Sequence, residues 1–437
     1  MMKTAIKLGL IFVLQCVLTN NLFAQVIPTN VVGDKAYFSQ NVEVEKFAGK
    51  RFQLKVATKV LRGTDNSKSS VIALIRKKNN SVGFHTDLVQ SLKSNSNWEI
   101  SIIEGKIDSG AKTFEIGGYC TNDGIFSFDD FKLKVELSPG KWENVSIENG
   151  GFENGDFQNW IAGTNNRQVN FDGVKFSIEP KASFNGKFSL QIECKYTNYG
   201  NNEKAGNYAV VNGIKLYYEI YGSGKPLLLL HGNGGSISGN KVRIADFKNT
   251  YKVIAVDNRA QGNSGDNGKE LTYNLMADDI NNLLEKINID SAYVWGQSDG
   301  GIIGLLLAMK HPDKVRKLAV WGANIQANEQ AFAPKVYESI VNASKNGKNE
   351  KDRQLNKLMV NYPNIPLSDL KDITAPVLVM SGDRDAINID HTIGIFQHIP
   401  NSQLFVMPGA THFGAYEKPG LFNLILSEFF NNFVRKL

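Results

Sequence analysis

The chain has 437 residues, 42% hydrophobic and 21% charged, and a formal net charge of +6. That is more chain than one core usually serves, so at least two domains are expected. The charge is spread evenly along the sequence, which leaves no basic face for nucleic acid or an anionic membrane.

The N-terminus reads as a processing signal. Lys3 and Lys7 form a positive start, Leu8 to Leu18 is an almost unbroken apolar run, and Leu22-Phe23-Ala24 offers a small residue before Gln25. A cleaved signal peptide over residues 1–24 is expected, and with it a secreted or periplasmic location. The run falls short of the roughly 20 residues a membrane-spanning helix needs, and no later segment is apolar enough to cross. Gln15 before Cys16 argues against a lipoprotein signal. Cys120 and Cys194 remain; the sequence leaves open whether they pair or stay as buried thiols.

Residues 25–200 have the grammar of strands. Arg51 to Val56 and Phe131 to Leu137 alternate apolar and polar residues, and clusters of Asn, Asp, Gly and Ser interrupt them at short intervals. That pattern predicts half-buried antiparallel strands in an all-β sandwich of jelly-roll type. Residues 201–207, within the polar run Asn198 to Asn207, read as a linker. From 208 to 437 short apolar strands alternate with helical stretches: Leu227–Leu230, Val253–Val256, Ala292–Trp295, Leu318–Trp321, Val377–Met380 and Gln403–Val406. This predicts an α/β domain with a mostly parallel sheet. Residues 324–372 read as a short helical cap, with Pro334, Pro363 and Pro366 as breakers.

Chemistry concentrates in the α/β region. Gly296-Gln297-Ser298-Asp299-Gly300-Gly301 joins the strand ending at Trp295 to a helical stretch, the sequence form of a nucleophile elbow. Such a turn strains the serine backbone and requires Cβ-free neighbours at Gly296 and Gly300. A serine nucleophile needs a base, a carboxylate to orient that base, and donors for the oxyanion. Downstream, Val377–Met380 leads into Ser381-Gly382-Asp383-Arg384-Asp385, and Gln403–Val406 leads into Gly409-Ala410-Thr411-His412. Acid and histidine thus follow successive strands, in the order Ser, Asp, His. No cluster has zinc spacing and no phosphate-binding loop is present, so neither metal nor cofactor is expected.

These motifs resemble the α/β-hydrolase superfamily over residues 208–437. His231-Gly232-Asn233-Gly234-Gly235 is similar to its oxyanion loop. Asp257-Asn258-Arg259-Ala260-Gln261-Gly262-Asn263-Ser264 is similar to its Asp-x-Arg-Gly-x-Gly-x-Ser turn, with Ala260 where glycine is usual. The resemblance implies Ser298 as nucleophile, His412 as base and acid, and Asp385 as orienting carboxylate, preferred to Asp383 by its distance from Gly382. It implies the N–H groups of Asn233 and Asp299 as the oxyanion hole, with Gly234 a neighbouring candidate and Gly232 and Gly234 near substrate. His231 would be structural, and His85, His311, His391 and His398 compete poorly as bases.

The Ser-Asp-Gly-Gly run, with Trp321-Gly322-Ala323-Asn324, is also similar to hydrolases of the valacyclovir-hydrolase type. That likeness implies that the Asp299 carboxylate binds a substrate ammonium; on the residues alone it is equally an incidental carboxylate beside an N–H that the oxyanion hole needs. The expected activity is hydrolysis of carboxylic esters of small, medium-sized or amino-acyl type. The alternatives are perhydrolase or carbon–carbon bond hydrolysis on the same triad, or a surface binding protein with an inactive hydrolase domain. A dehalogenase would need an aspartate at position 298.

Residues 149–153 with Trp160, residues 185–190 and residues 128–133 resemble parts of galactose-binding-like jelly rolls, in an unusual order. This implies polysaccharide as a partner. Trp98, Trp142, Trp160 and Tyr119 then divide between a sugar platform and plain sheet packing, with packing preferred. Asp129 and Asp130 are a weak calcium candidate.

Overall fold

The computed structural model describes residues 29–33, 35–90, 97–164, 167–180 and 182–432. The expected signal peptide lies outside the described residues.

The N-terminal half folds as two facing sheets. One has seven strands in the order Thr29–Val31, Arg167–Phe171, Ile161–Thr164, Lys35–Glu43, Ala111–Thr121, Lys68–Lys77 and Val82–Gln90. The other has six: Val174–Pro180, Phe188–Cys194, Gly124–Ser138, Arg51–Gly63 and Glu99–Lys106, with Lys141–Val145 on Gly124–Ser138. All pairings are antiparallel except that of Thr29–Val31 with Arg167–Phe171. The period-2 pattern decides the faces: Phe52, Leu54 and Val56 are buried between the more exposed Arg51, Gln53 and Lys55. Phe38, Phe114, Phe126, Phe128 and Trp160 fill the space between the sheets.

The aromatic residues do not converge on one platform. Trp160 is core, in contact with Phe38 and Phe131, whereas Trp142 is exposed and Trp98 lies against Phe184. Tyr119 is buried on the outer side of the seven-stranded sheet, beside Tyr37. Asp129 accepts N–H groups of Phe184, Asn185 and Asp130, and Asp130 pairs with Lys132. Burial pushes the Asp129 carboxyl up to about 6.

The C-terminal half is a sheet of eight strands: β1 (Gly206–Val211), β2 (Ile214–Tyr221), β3 (Lys225–Leu230), β4 (Tyr251–Val256), β5 (Ala292–Gln297), β6 (Val315–Trp321), β7 (Val377–Arg384) and β8 (Ser402–Thr411). Their order is β1-β2-β4-β3-β5-β6-β7-β8, parallel from β4 to β8. Helices α1 (Lys241–Phe247), α2 (Tyr273–Lys286), α3 (Asp299–Lys310), α4 (Pro334–Asn346), α5 (Glu350–Asn361), α6 (Ile389–His398), α7 (Gly414–Glu417) and α8 (Pro419–Asn431) accompany the sheet. Two hydrophobic clusters, one on each face, explain why β3 to β6 read as unbroken apolar runs. Crossovers place the functional turns at the C-terminal strand ends, where open α/β sheets hold their sites.

The segment expected as a linker is tied down. Glu219 on β2 is fully buried, and its carboxylate accepts the N–H groups of Gly200 (2.8 Å) and Asn202 (2.9 Å). Hydroxyls of Tyr217 (2.8 Å) and Tyr221 (2.7 Å) also donate to it. Four donors compensate a buried charge that would otherwise be costly. Strand β1 begins at Gly206, inside the expected linker, because the polar residues there face solvent at a sheet edge. Lys248 on the α/β side pairs with Asp172 of the sandwich (2.6 Å), and Tyr199 donates to the same carboxylate (2.7 Å).

Candidate active site

Ser298 stands between β5 and α3 with φ 51° and ψ −119°. A positive φ on a non-glycine residue costs about 1–3 kcal/mol and persists only where its surroundings enforce it. They do so here. A Cβ at position 296 would lie 2.2 Å from the Gly300 carbonyl oxygen, and one at 300 would lie 2.4 Å from that of Leu230. The Ser298 N–H donates to Trp321 O on β6 (2.8 Å).

Asp385 and His412 lie in direct contact. Asp385 follows β7 and His412 follows β8; His412 Nδ1 lies 2.7 Å from Asp385 Oδ1. The Asp385 side chain is 1% exposed and also accepts from the N–H groups of Ile387 (3.1 Å) and Gly382 (3.2 Å). Three donors orient it toward the ring. Asp383 is exposed and accepts the Gly409 N–H (2.7 Å) in the neighbouring turn. Two residues outside the sequence-level site hold the His412 carbonyl: Trp321 Nε1 (2.9 Å) and Gln297 Nε2 (3.3 Å) donate to it. Gly322 (φ 58°) lies directly against the ring; the sequence placed it in the Trp321–Asn324 run but gave no sign of this contact.

The loop after β3 supplies the remaining pieces. A Cβ at Gly232 would come within 3.2 Å of Ser298 Cβ, so this glycine borders the serine. The Gly234 N–H is committed to Gln261 Oε1 (2.7 Å), which argues against it as an oxyanion donor. Asp299 is the first residue of α3, and a first-turn N–H has no partner within its helix. His231 is structural: Nε2 accepts the Asn258 N–H (3.0 Å), so Nδ1 carries the proton and donates to Gly232 O (2.7 Å). Burial holds its pKa down to about 4. His391 is likewise buried, held down to about 4, and accepts the Ile325 N–H.

The Asp299 side chain turns away from the cavity. Its Oδ1 accepts from the Tyr273 hydroxyl and its Oδ2 from Asn233 Nδ2, both at 2.9 Å. Burial pushes its carboxyl up to about 6, with those two hydrogen bonds and His412 pulling the other way. The same Asn233 amide donates to Leu355 O on α5 (3.2 Å), so the network ties the loop after β3 to α5.

Ser298, His412, Gly232 and Asn233 line one cavity of about 520 Å³. Its outer wall comes from the segment expected as a cap and from the loop after β7: Phe332, Val336 and Ile340, Met359, and Ile387. This wall is apolar, whereas the floor carries the polar groups. Such a floor can deliver a nucleophile and stabilise an oxyanion, and such a wall can take up an acyl chain.

Residues 225–336 match the family model described as alpha/beta hydrolase fold. Over 131 residues the chain is 34% identical to RutD of Azorhizobium caulinodans, provisionally named a carbamate hydrolase; the alignment covers 30% of this chain and 49% of that protein. The chain thus spans about half the length of this relative. Over 233 residues it is 26% identical to the mouse serine hydrolase BPHL, covering 46% of this chain and 78% of the relative. Among solved structures it is similar to the enol-lactonase from Burkholderia xenovorans, at 20% identity and a TM-score of 0.47, covering 52% of this chain and 100% of that one. The C-terminal segment of the chain has the alpha/beta-hydrolase fold.

Proposed function

We propose that this chain is an exported serine hydrolase that cleaves carboxylic esters of small or medium acyl groups. The observation that carries the reading is the His412–Asp385 contact of 2.7 Å, with His412 and Ser298 on the wall of one cavity. Ser298 Oγ attacks the ester carbonyl while His412 takes its proton. The N–H groups of Asn233 and Asp299 receive the oxyanion, and His412 returns the proton to the leaving alcohol. Water then repeats the sequence on the acyl-enzyme. Asp385 keeps the imidazole in one tautomer and balances its charge while it holds the proton.

The apolar wall favours an uncharged acyl group. Both oxygens of the Asp299 carboxylate already accept hydrogen bonds, which argues against its use as an ammonium site. Export rests on the sequence of residues 1–24.

The test is labelling with a fluorophosphonate probe. The parent chain should form a single adduct that Ser298→Ala abolishes; an unlabelled parent would sink the serine-hydrolase reading. An α-amino ester and its deaminated analogue should be cleaved at similar rates.

A further inference from the structure

The catalytic cavity is flanked by a polar track that runs onto the sandwich. The loop of Ser236, Ser238 and Gly239 borders both: Ser236 and Gly239 line the catalytic cavity, whereas Ser238, with Lys241, lines a cleft of about 720 Å³ between the two halves of the chain. Asn66 and Asn122 on the far side of that cleft also line a second depression of about 400 Å³. Lys35 and Tyr119 then join that depression to a third, about 270 Å³, on the outer face of the seven-stranded sheet. Neighbouring depressions share lining residues, so the track is continuous from the sheet face to the edge of the catalytic loop.

Its lining is chemically mixed and close to neutral. Lys35, Lys68, Arg76 and Lys241 face Asp87, Glu115 and Asp123. Several of these charges are already used: Arg76 pairs with Glu115 (3.0 Å), Asp87 accepts the Tyr119 hydroxyl (2.7 Å), and Asp123 accepts the Tyr196 N–H (2.8 Å). A polyanion would find little net attraction there. Beside Lys35, Lys68 and Lys241 stand hydroxyl and amide groups (Thr64, Asn66, Thr121, Asn198) and the tyrosines Tyr37 and Tyr196. Donors and acceptors of both kinds beside aromatic surfaces match a ligand with hydroxyls on its edges and C–H groups on its faces. The two halves hold this geometry through Glu219 and the Asp172–Lys248 pair.

We infer that the ester substrate is carried on a neutral polysaccharide, which lies in this track while its acyl substituent enters the cavity at Ser298. This rests on the serine-ester reading of the cavity. Electrophoresis of the full chain through gels containing arabinoxylan, galactomannan or mixed-linkage β-glucan tests it, with Ser298→Ala run alongside to separate binding from turnover. At least one polysaccharide should retard parent and Ser298→Ala equally. Tyr37→Ala and Asn66→Ala, at half-buried and exposed positions, should reduce that retardation several-fold. On an acylated form of the retarding polysaccharide the same variants should raise KM about tenfold, with p-nitrophenyl ester turnover unchanged. Unretarded migration in all three gels, or variants retarded like the parent, would overturn the inference. Loss of fluorophosphonate labelling at Ser298 would instead remove the hydrolase reading beneath it.

Discussion

Gly322 and the His412 imidazole compete for the same space: a Cβ at position 322 would lie 2.7 Å from both Cε1 and Nδ1 of the ring. Asp385 holds the ring at Nδ1, and Trp321 and Gln297 hold the backbone carbonyl of His412. An added methyl therefore has to push the imidazole or distort the turn after β6. Gly322→Ala should lower kcat by on the order of 10²-fold, the usual consequence of a displacement near one ångström, and leave KM within a few-fold. Unchanged kcat would show that the ring does not need this contact.

Asp385 and Asp383 are two residues apart and have separate roles. Asp385→Asn should reduce kcat by about 10⁴-fold, because an amide cannot hold the required tautomer or balance the imidazolium. Asp383→Asn should keep activity within a few-fold and cost about 1 kcal/mol of stability through the weakened Gly409 N–H bond. Steady-state kinetics of the pair decide it, and comparable losses would reassign the acid.

Asp299 makes stability depend on pH. Its carboxyl is raised to about 6 in the folded chain against an ordinary 3.8. The folded state then holds the proton more tightly than the unfolded one, so stability from this group is present at low pH and declines as pH rises through about 4 to 6. Asp299→Asn removes the titration. Its urea-unfolding stability relative to the parent should improve by on the order of 3 kcal/mol between pH 4 and pH 7. A constant difference across that range would show that the buried carboxylate is fully compensated by Tyr273 and Asn233.

Ala260 occupies a left-handed conformation, φ 63°, where the family's turn has glycine. Its N–H still donates to Gly265 O (3.0 Å), so the turn keeps its shape at the expense of backbone strain. Ala260→Gly should stabilise the chain by about 1 kcal/mol, read as a higher urea midpoint with an unchanged slope. A lower midpoint would mean that the methyl's burial outweighs the strain.

Cys120 and Cys194 are free, buried thiols in the core between the two sheets of the sandwich, where burial, with Cys194 beside it, pushes the Cys120 thiol up. Treatment of the full chain with diamide should yield a species two hydrogens lighter. Closing a loop of about 70 residues should stabilise the sandwich by about 4 kcal/mol, reversibly by dithiothreitol. An unchanged mass would show that the core holds the thiols apart.

Much of the candidate site was legible in the sequence because its parts are backbone demands. Gly296 and Gly300 are required wherever a strand turns sharply into a helix, and the order of Ser298, Asp385 and His412 follows the order of the strands. The period-2 segments of the sandwich likewise declared their buried faces. Tyr273 and Gln261 carried no such signal, since a hydroxyl or amide near a turn has no fixed spacing to its partner. The polar run before Gly206 hid its contacts for a related reason: composition does not show that the buried Glu219 gathers the N–H groups of Gly200 and Asn202.

What the sequence determined alone was the presence of a serine elbow, an acid–histidine order and two halves of different periodicity, because local backbone geometry and alternation are written in neighbouring residues. The tertiary structure decided where charges and donors go. It turned the Asp299 carboxylate toward Tyr273 and Asn233, committed the Gly234 N–H to Gln261, and set Gly322 under His412. Each of those contacts joins residues from separate helices, strands or loops, and only packing brings them together.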